Sequence, residues 1–293
     1  KSLFPQKQII SFHLIKSNTD PEKNALHLDC CFQTVGNNKV VVCPEAFSNK
    51  NEYSWIIDHF GDNNILEIGP GTGNLTNEII KKKPKKFLLI EKDETLLLLL
   101  KKKYLEKVTY INDDVLNINE NILSKEKLTV FGNLPYNIST EILTKWILNL
   151  NSKIWFDKLI LMFQKEVADR IISKFNTSSY GRLSIICNWK LNIKKIIDIK
   201  PNSFWPKPRV DSSLLVFTPK KKFFKLKSPK TIEHVTRIFF NQKRKKIKKP
   251  FNQLFENADK IAEKLNIDLN LRPQNLNYQD YYSIAEELEK LRN

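Results

Sequence analysis

Residues 65–76 read Ile65-Leu66-Glu67-Ile68-Gly69-Pro70-Gly71-Thr72-Gly73-Asn74-Leu75-Thr76. A short apolar strand runs into three glycines, and helical spacing follows from Leu75 to about Lys82. The chain has 7 glycines in 293 residues, so three of them within positions 69–73 mark a deliberate turn. Glycine there lets the backbone turn sharply or lets a ligand approach it closely. Alone, such a turn also fits a strand-to-helix connection that binds nothing.

Outward from it the alternation continues. Strands are expected at 87–90, ending in Glu91; at 108–111, ending in Asp113-Asp114; at 128–131, running into Gly132-Asn133-Leu134-Pro135-Tyr136; and at 159–163. Helices are expected over 94–105 and 140–150, and upstream from Tyr53 to Phe60. Residues 1–45 have no clear period beyond one possible strand, Lys39 to Val42. After Arg182 two more strands are expected, 193–199 and 213–217, separated by Pro201, Pro206 and Pro208. Strands alternating with helices predict an α/β fold, with right-handed crossovers and a parallel sheet covered on both faces. Lys220-Lys221-Lys222 reads as a linker, and helical spacing runs from Thr231 to Arg292. The expected organisation is a divergent extension (1–45), an α/β domain (46–219) and a small helical domain (220–293).

Composition narrows the classes. Hydrophobic residues make up 41% of the chain, which excludes wholesale disorder. No purely apolar run is longer than that from Leu96 to Leu100, far short of the ~18 residues of a membrane span. No charged-then-apolar leader opens at Lys1, so a cytoplasmic or organellar protein, not a secreted one, is expected. Lys and Arg number 49 against 32 Asp and Glu, a net +17 that favours polyanionic partners through counterion release. Cys30, Cys31, Cys43 and Cys187 fit no zinc spacing and read as reduced thiols, so no metal site is expected.

Three acids, Glu67, Glu91 and Asp114, fall at or near successive strand ends, on the rim where open sheets bind ligands. Glu91 is placed to accept from both ribose hydroxyls, and Asp114 from an adenine amino group. The lysine and Ser/Thr pair of a phosphate loop are absent after Gly73, and the glycine spacing is not that of a dinucleotide site. An acid opening the motif suits a cationic ligand, which favours S-adenosylmethionine. Asn133-Leu134-Pro135-Tyr136 is the reactive candidate. The Asn133 side-chain oxygen and the Pro135 carbonyl can hold the hydrogens of an adenine amino group and localise its lone pair. Tyr136 offers a ring for the extruded base, and Phe204, in the proline-stiffened segment 204–212, a second.

These stretches resemble the small-subunit ribosomal RNA adenine dimethyltransferases of bacterial KsgA type. The matching segments are ILEIGPGTGNLT (65–76), IEKDETLL (90–97), FGNLPYNIST (131–140), FQKEVADRI (163–171), SYGRLS (179–184), FWPKPRVDSS (204–213), FFNQKRKKIKK (239–249) and LRPQNLNYQDYYSIA (271–285). The resemblance implies a Rossmann-like seven-stranded methyltransferase sheet with an antiparallel seventh strand, plus a C-terminal helical domain. It implies transfer of two methyls to each of two adjacent adenosines near the RNA's 3′ end, during assembly of the small ribosomal subunit. Carried over by position, Gly69, Glu91, Asp114 and Asn133 bind the cofactor and Glu67 and Gly71 line its methionine end. Asn133 to Tyr136 hold the base and Phe204 stacks on it. Lys243, Arg244, Lys245, Lys246, Lys248 and Lys249, on a segment expected to be helical, contact RNA phosphates. A monomer is expected. The family's N-terminal segment over the cofactor has only a weak counterpart here, Pro44-Glu45-Ala46-Phe47, and no contact is assigned to it. The competing readings are the erythromycin-resistance type, acting on large-subunit RNA, and a non-catalytic assembly or transcription factor that keeps the fold.

Overall fold

A computed structural model describes residues 32–34, 40–42, 64–150, 154–201 and 208–291. The expected helix at 53–60, nearly all of the extension, and Phe204 lie outside these. Strands β1 (Phe32–Thr34) and β2 (Val40–Val42) pair antiparallel, so the possible strand at 39–42 has an upstream partner.

The glycine motif sits at the centre of the main sheet. Strand β3 (Asn64–Ile68) is buried along its whole length and is flanked by β4 (Lys86–Glu91) and β6 (Leu128–Gly132), both parallel to it. Such uninterrupted burial is what apolar runs of this kind achieve when helices cover both faces. β5 (Thr109–Asn112) and β7 (Phe156–Gln164) extend the parallel part, and β8 (Leu191–Ile199) and β9 (Ser212–Pro219) complete the order β5-β4-β3-β6-β7-β9-β8. β9 runs antiparallel to both neighbours. The seven-stranded sheet and its antiparallel last strand are therefore as expected.

Helices α1 (Asn74–Lys81), α2 (Glu94–Tyr104) and α3 (Ser139–Asn149) are the crossovers read from the sequence. The Asp93 carboxylate starts α2 by accepting from the Thr95 and Leu96 N–H groups at 2.8 and 3.0 Å. Two helices were not foreseen, α4 (Lys165–Ile172) and α5 (Arg182–Lys190). α4 is short and begins on the residue after β7, so its period is masked by the strand before it.

The C-terminal segment forms α6 (Pro229–Phe240), α7 (Lys248–Leu254), α8 (Ala258–Lys264) and α9 (Tyr278–Leu291). Their apolar faces meet around Phe239, Phe251 and Tyr281. α5 serves two cores: Ile186 and Cys187 face the sheet, and Ile185 and Trp189 face the C-terminal helices. Hydrogen bonds tie the two parts, from Trp189 Nε1 to the Phe224 carbonyl at 2.7 Å and from the Tyr282 hydroxyl to the Ile185 carbonyl at 2.9 Å. No helix among the described residues is long and apolar enough to cross a membrane.

The basic run is not the continuous helix expected. Residues 241–245 are turn and bend, and α7 begins only at Lys248. Buried Ile247, whose N–H donates to the Leu271 carbonyl at 2.9 Å, pins the chain and breaks the helical path between α6 and α7.

Candidate active site

Register brings the motif residues together. Ile68 pairs with Ile90 on one side and Gly132 on the other, and Glu91 pairs with Asn112. The carboxyl ends of β5, β4, β3 and β6 thus form one rim, carrying Asp114, Glu91, the glycine turn and Asn133 in that order. Asn133 lies beside the turn: a Cβ added at Gly69 would stand 3.8 Å from the Asn133 carbonyl oxygen.

Both Gly71 and Gly73 have positive φ, 58° and 85°. A Cβ at Gly71 would meet nothing within 4 Å, so this face of the turn is open to a ligand. One at Gly73 would strike the Tyr104 hydroxyl at 2.6 Å and Leu100 at 2.8 Å, so that glycine is required by the close packing of the turn on α2. Glu91 braces the turn. Its Oε2 accepts from the Gly71 N–H at 3.3 Å and its Oε1 from the Asp93 N–H at 3.0 Å. A carboxylate has about four acceptor sites, so capacity remains for a diol.

Asp114 is tied at both oxygens, to the Leu116 N–H and the Lys92 ammonium, each at 2.9 Å. The Leu116 N–H and then Lys92 hold its carboxyl below the usual range. Lys92 is 76% exposed, so solvent screens this pair and it opens readily to a ligand.

Glu67 differs from expectation. Its side chain is buried, 2% exposed, and Oε2 accepts from the Thr76 hydroxyl at 2.8 Å, linking β3 to the first turn of α1. Burial pushes its pKa to about 8, opposed by the Thr76 bond and reinforced by Glu91, so at neutral pH it is mostly protonated. In this structure the carboxyl braces β3 against α1 through Thr76. Because the folded value lies above the ordinary 4.5, the native state holds a proton that the unfolded chain releases, and stability falls as pH rises from 4.5 to 8, levelling above that. The loss is on the order of a few kcal/mol. Glu67→Gln keeps the shape without the charge, and urea midpoints at pH 5 and pH 8 are expected to converge for this variant. A decline as steep as in the wild type would overturn the assignment.

The loop after β6 departs from the reading in two places. Leu134 is 2% exposed and packs in the core under the sheet, so its side chain cannot touch a base. The Pro135 carbonyl already accepts from the Ile138 and Ser139 N–H groups, both at 3.1 Å, because the turn into α3 needs a cap. With both its lone pairs engaged, it is not the second acceptor for an amino group. Among the described residues, the Asn133 carboxamide and the Leu134 carbonyl accept no hydrogen bond. Tyr136 is half-buried, its hydroxyl 2.6 Å from Ser212 Oγ.

Tyr136 stands in a groove of about 860 Å³ that runs between α3, α4 and the start of α5 on one side and α6 on the other, past Arg170 and Arg182 to Lys243. Neither arginine was singled out from the sequence; each lay in a matching segment with no charge cluster to flag it. An adjoining cavity of about 680 Å³ shares Arg182 and adds Lys230, His234 and Arg237. Of the basic run, Lys243 reaches the groove and donates to the Ser178 carbonyl, while Arg244, Lys245, Lys246, Lys248 and Lys249 are exposed.

The sheet order, the antiparallel β9 and the acid-and-glycine rim define a Rossmann-like methyltransferase. Residues 48–290 match the family model for ribosomal RNA adenine dimethylases. The ribosomal RNA small subunit methyltransferase A of Pelagibacter ubique (strain HTCC1062) is 63% identical over 228 residues, 78% of this chain and 87% of that protein. The protein of the same name from Ehrlichia ruminantium (strain Gardel) is 41% identical over 226 residues, covering 75% and 84%. The crystal structure of a dimethyladenosine transferase from Plasmodium falciparum superposes with a TM-score of 0.63 at 26% identity, covering 78% of this chain and 90% of that one. The crystal structure of the 23S rRNA methyltransferase ErmE gives 0.57 at 18% identity, covering 82% and 98%, a likeness of fold alone. The chain belongs to the ribosomal RNA adenine dimethylase family.

Proposed function

We propose that this protein transfers methyl groups from S-adenosylmethionine to the exocyclic amino nitrogens of two adjacent adenosines near the 3′ end of small-subunit ribosomal RNA, as a monomer acting on the assembling subunit. The observation that carries the reading is the register that sets Asn133 beside the open glycine turn. The bacterial cytoplasm, or an organelle with its own ribosomes, is the implied location.

The cofactor supplies an electrophilic methyl on its sulfonium. Glu91 takes the ribose hydroxyls, and Asp114, released from Lys92, takes the adenine amino group. Gly69 and Gly71 let the ligand lie against backbone. At the target, Asn133 Oδ1 accepts one amino hydrogen and the Leu134 carbonyl, which accepts no bond among the described residues, takes the other in place of the occupied Pro135 carbonyl. Holding both hydrogens would draw the nitrogen lone pair out of conjugation toward the sulfonium methyl. As the N–C bond forms, the S–C bond would break to leave a neutral thioether and the surplus amino proton would pass to solvent, so these residues act chiefly by positioning. Tyr136, with Phe204, stacks on the extruded base. Residues 46–219 carry this chemistry and 220–293 carry RNA contacts, with 1–45 as an extension.

The test is labelled methyl transfer onto undermethylated small subunits with the modified positions mapped. Label on two adjacent adenosines near the 3′ end supports the proposal. Label only on large-subunit RNA would favour the erythromycin-resistance type, and none would favour the non-catalytic reading.

The turn at Lys243 to Lys246 is proposed to bind phosphates, with Lys248 and Lys249 continuing the surface. Changing Lys243, Arg244, Lys245 and Lys246 to glutamine, with Ile247 kept as the anchor, is expected to weaken RNA binding. The slope of log K against log salt should become shallower by about 0.7–0.9 for every phosphate that is no longer neutralised. An unchanged slope would make the run a solvated surface.

A further inference from the structure

Tyr136 lies half-buried in the turn between β6 and α3, outside any helix or strand. Its hydroxyl meets Ser212 Oγ at 2.6 Å, a bond spanning 76 residues of sequence. Ser212 is fully buried, at the first position of β9, paired with Gln164 of β7 and Ile199 of β8.

Its neighbours are held on both sides. The Asp211 carbonyl accepts from the Lys165 N–H at 2.8 Å, and Asp211 Oδ2 accepts from Lys200 Nζ at 2.6 Å. The Ser213 hydroxyl donates to Asp198, and Asp198 and Asp169 share Lys165 and Lys195 at 2.6–3.1 Å. The segment 211–213 is thereby locked to β7, β8 and α4. A buried hydroxyl in so rigid a frame keeps its partner because losing it would leave a buried polar group unsatisfied.

We propose that Ser212 is a positioning residue: it fixes the Tyr136 ring at the groove mouth as a preset platform for the adenine. The role rests on the methyl-transfer reading above. A preset ring saves the base from ordering it on arrival, so its loss is felt in the reacting complex.

The experiment compares wild type, Ser212→Ala, Tyr136→Phe and the double variant, each first checked for an unchanged thermal transition. Steady-state methyl transfer onto undermethylated small subunits is expected to show kcat about tenfold lower in each single variant, with KM for the subunit within about twofold. The double variant should be no slower than the singles, because all three lack the same bond. In parallel, an RNA hairpin with 2-aminopurine at the target adenosine is expected to lose most of its protein-induced quenching with Ser212→Ala. Unchanged kcat in Ser212→Ala, or losses that multiply in the double variant, would overturn the proposal. Equal quenching by wild type and Ser212→Ala would overturn it too. The quenching needs no turnover, so it decides the link even if the wild type transfers no label, a result that would instead sink the catalytic reading.

Discussion

Replacing Asn133 with alanine is expected to lower single-turnover methyl transfer about 10²–10³-fold, the usual cost of removing one preorganised polar group that acts in the transition state. The expectation comes from the loop's hydrogen bonding. The Pro135 oxygen is occupied by the Ile138 and Ser139 N–H groups, and the Tyr136 hydroxyl by Ser212. The Asn133 carboxamide, at the strand end beside the glycine turn, keeps acceptor capacity to spare among the described residues. Without it the adenine nitrogen keeps its lone pair in the ring, and the methyl has a poor nucleophile in front of it. The side chain is exposed, so truncation leaves no cavity and stability should change little. Calorimetric binding of S-adenosylmethionine should weaken yet stay measurable, because Glu91 and the glycine turn are untouched. A variant with wild-type single-turnover rates would remove Asn133 from the mechanism.

Gly73→Ala is expected to have the largest effect on stability, about 2–5 kcal/mol, as the sum of two costs. A φ of 85° is unfavourable for alanine by ~1–2 kcal/mol. Its methyl would also press on the Tyr104 hydroxyl and Leu100, both buried, and relieving such overpacking typically costs ~1–3 kcal/mol. Tyr104 cannot simply swing away, since its hydroxyl donates to the Gly73 carbonyl at 2.7 Å. Gly71→Ala is the control, with positive φ but open space, and should cost only the backbone part while its methyl intrudes where the ligand lies. Urea midpoints and S-adenosylmethionine titrations on both variants separate the two: Gly73→Ala loses stability, and Gly71→Ala loses affinity. Equal stabilities would show that Gly73 is not confined by its neighbours.

The alternation from Ile65 to Phe163 was legible because apolar strands and helical periods follow one another with clear punctuation. The residues at the strand ends, Glu91, Asp114 and Asn133, could be assigned to one rim because parallel strands place all their carboxyl ends on the same side. What misled was local burial and local bonding. Nothing in the pattern Glu67-Ile68-Gly69 says that the carboxyl will be buried and bonded to Thr76. Nothing in Asn133-Leu134-Pro135-Tyr136 says that the proline carbonyl will cap α3. The basic run read as helix since lysine and arginine favour it, but Ile247 must be buried, and that tertiary demand outweighs propensity.

The sequence by itself determined the α/β class and the residues at the rim, through the alternation of apolar strands with helical periods, and the family through the resemblance carried by its motif segments. Only the tertiary structure decided which polar atoms remain available. That depends on partners distant along the chain, Thr76 for Glu67 and Ser212 for Tyr136, and on how far each group is shielded from water. Hydrogen bonding and desolvation are properties of position in space, and residue spacing along the chain does not encode them.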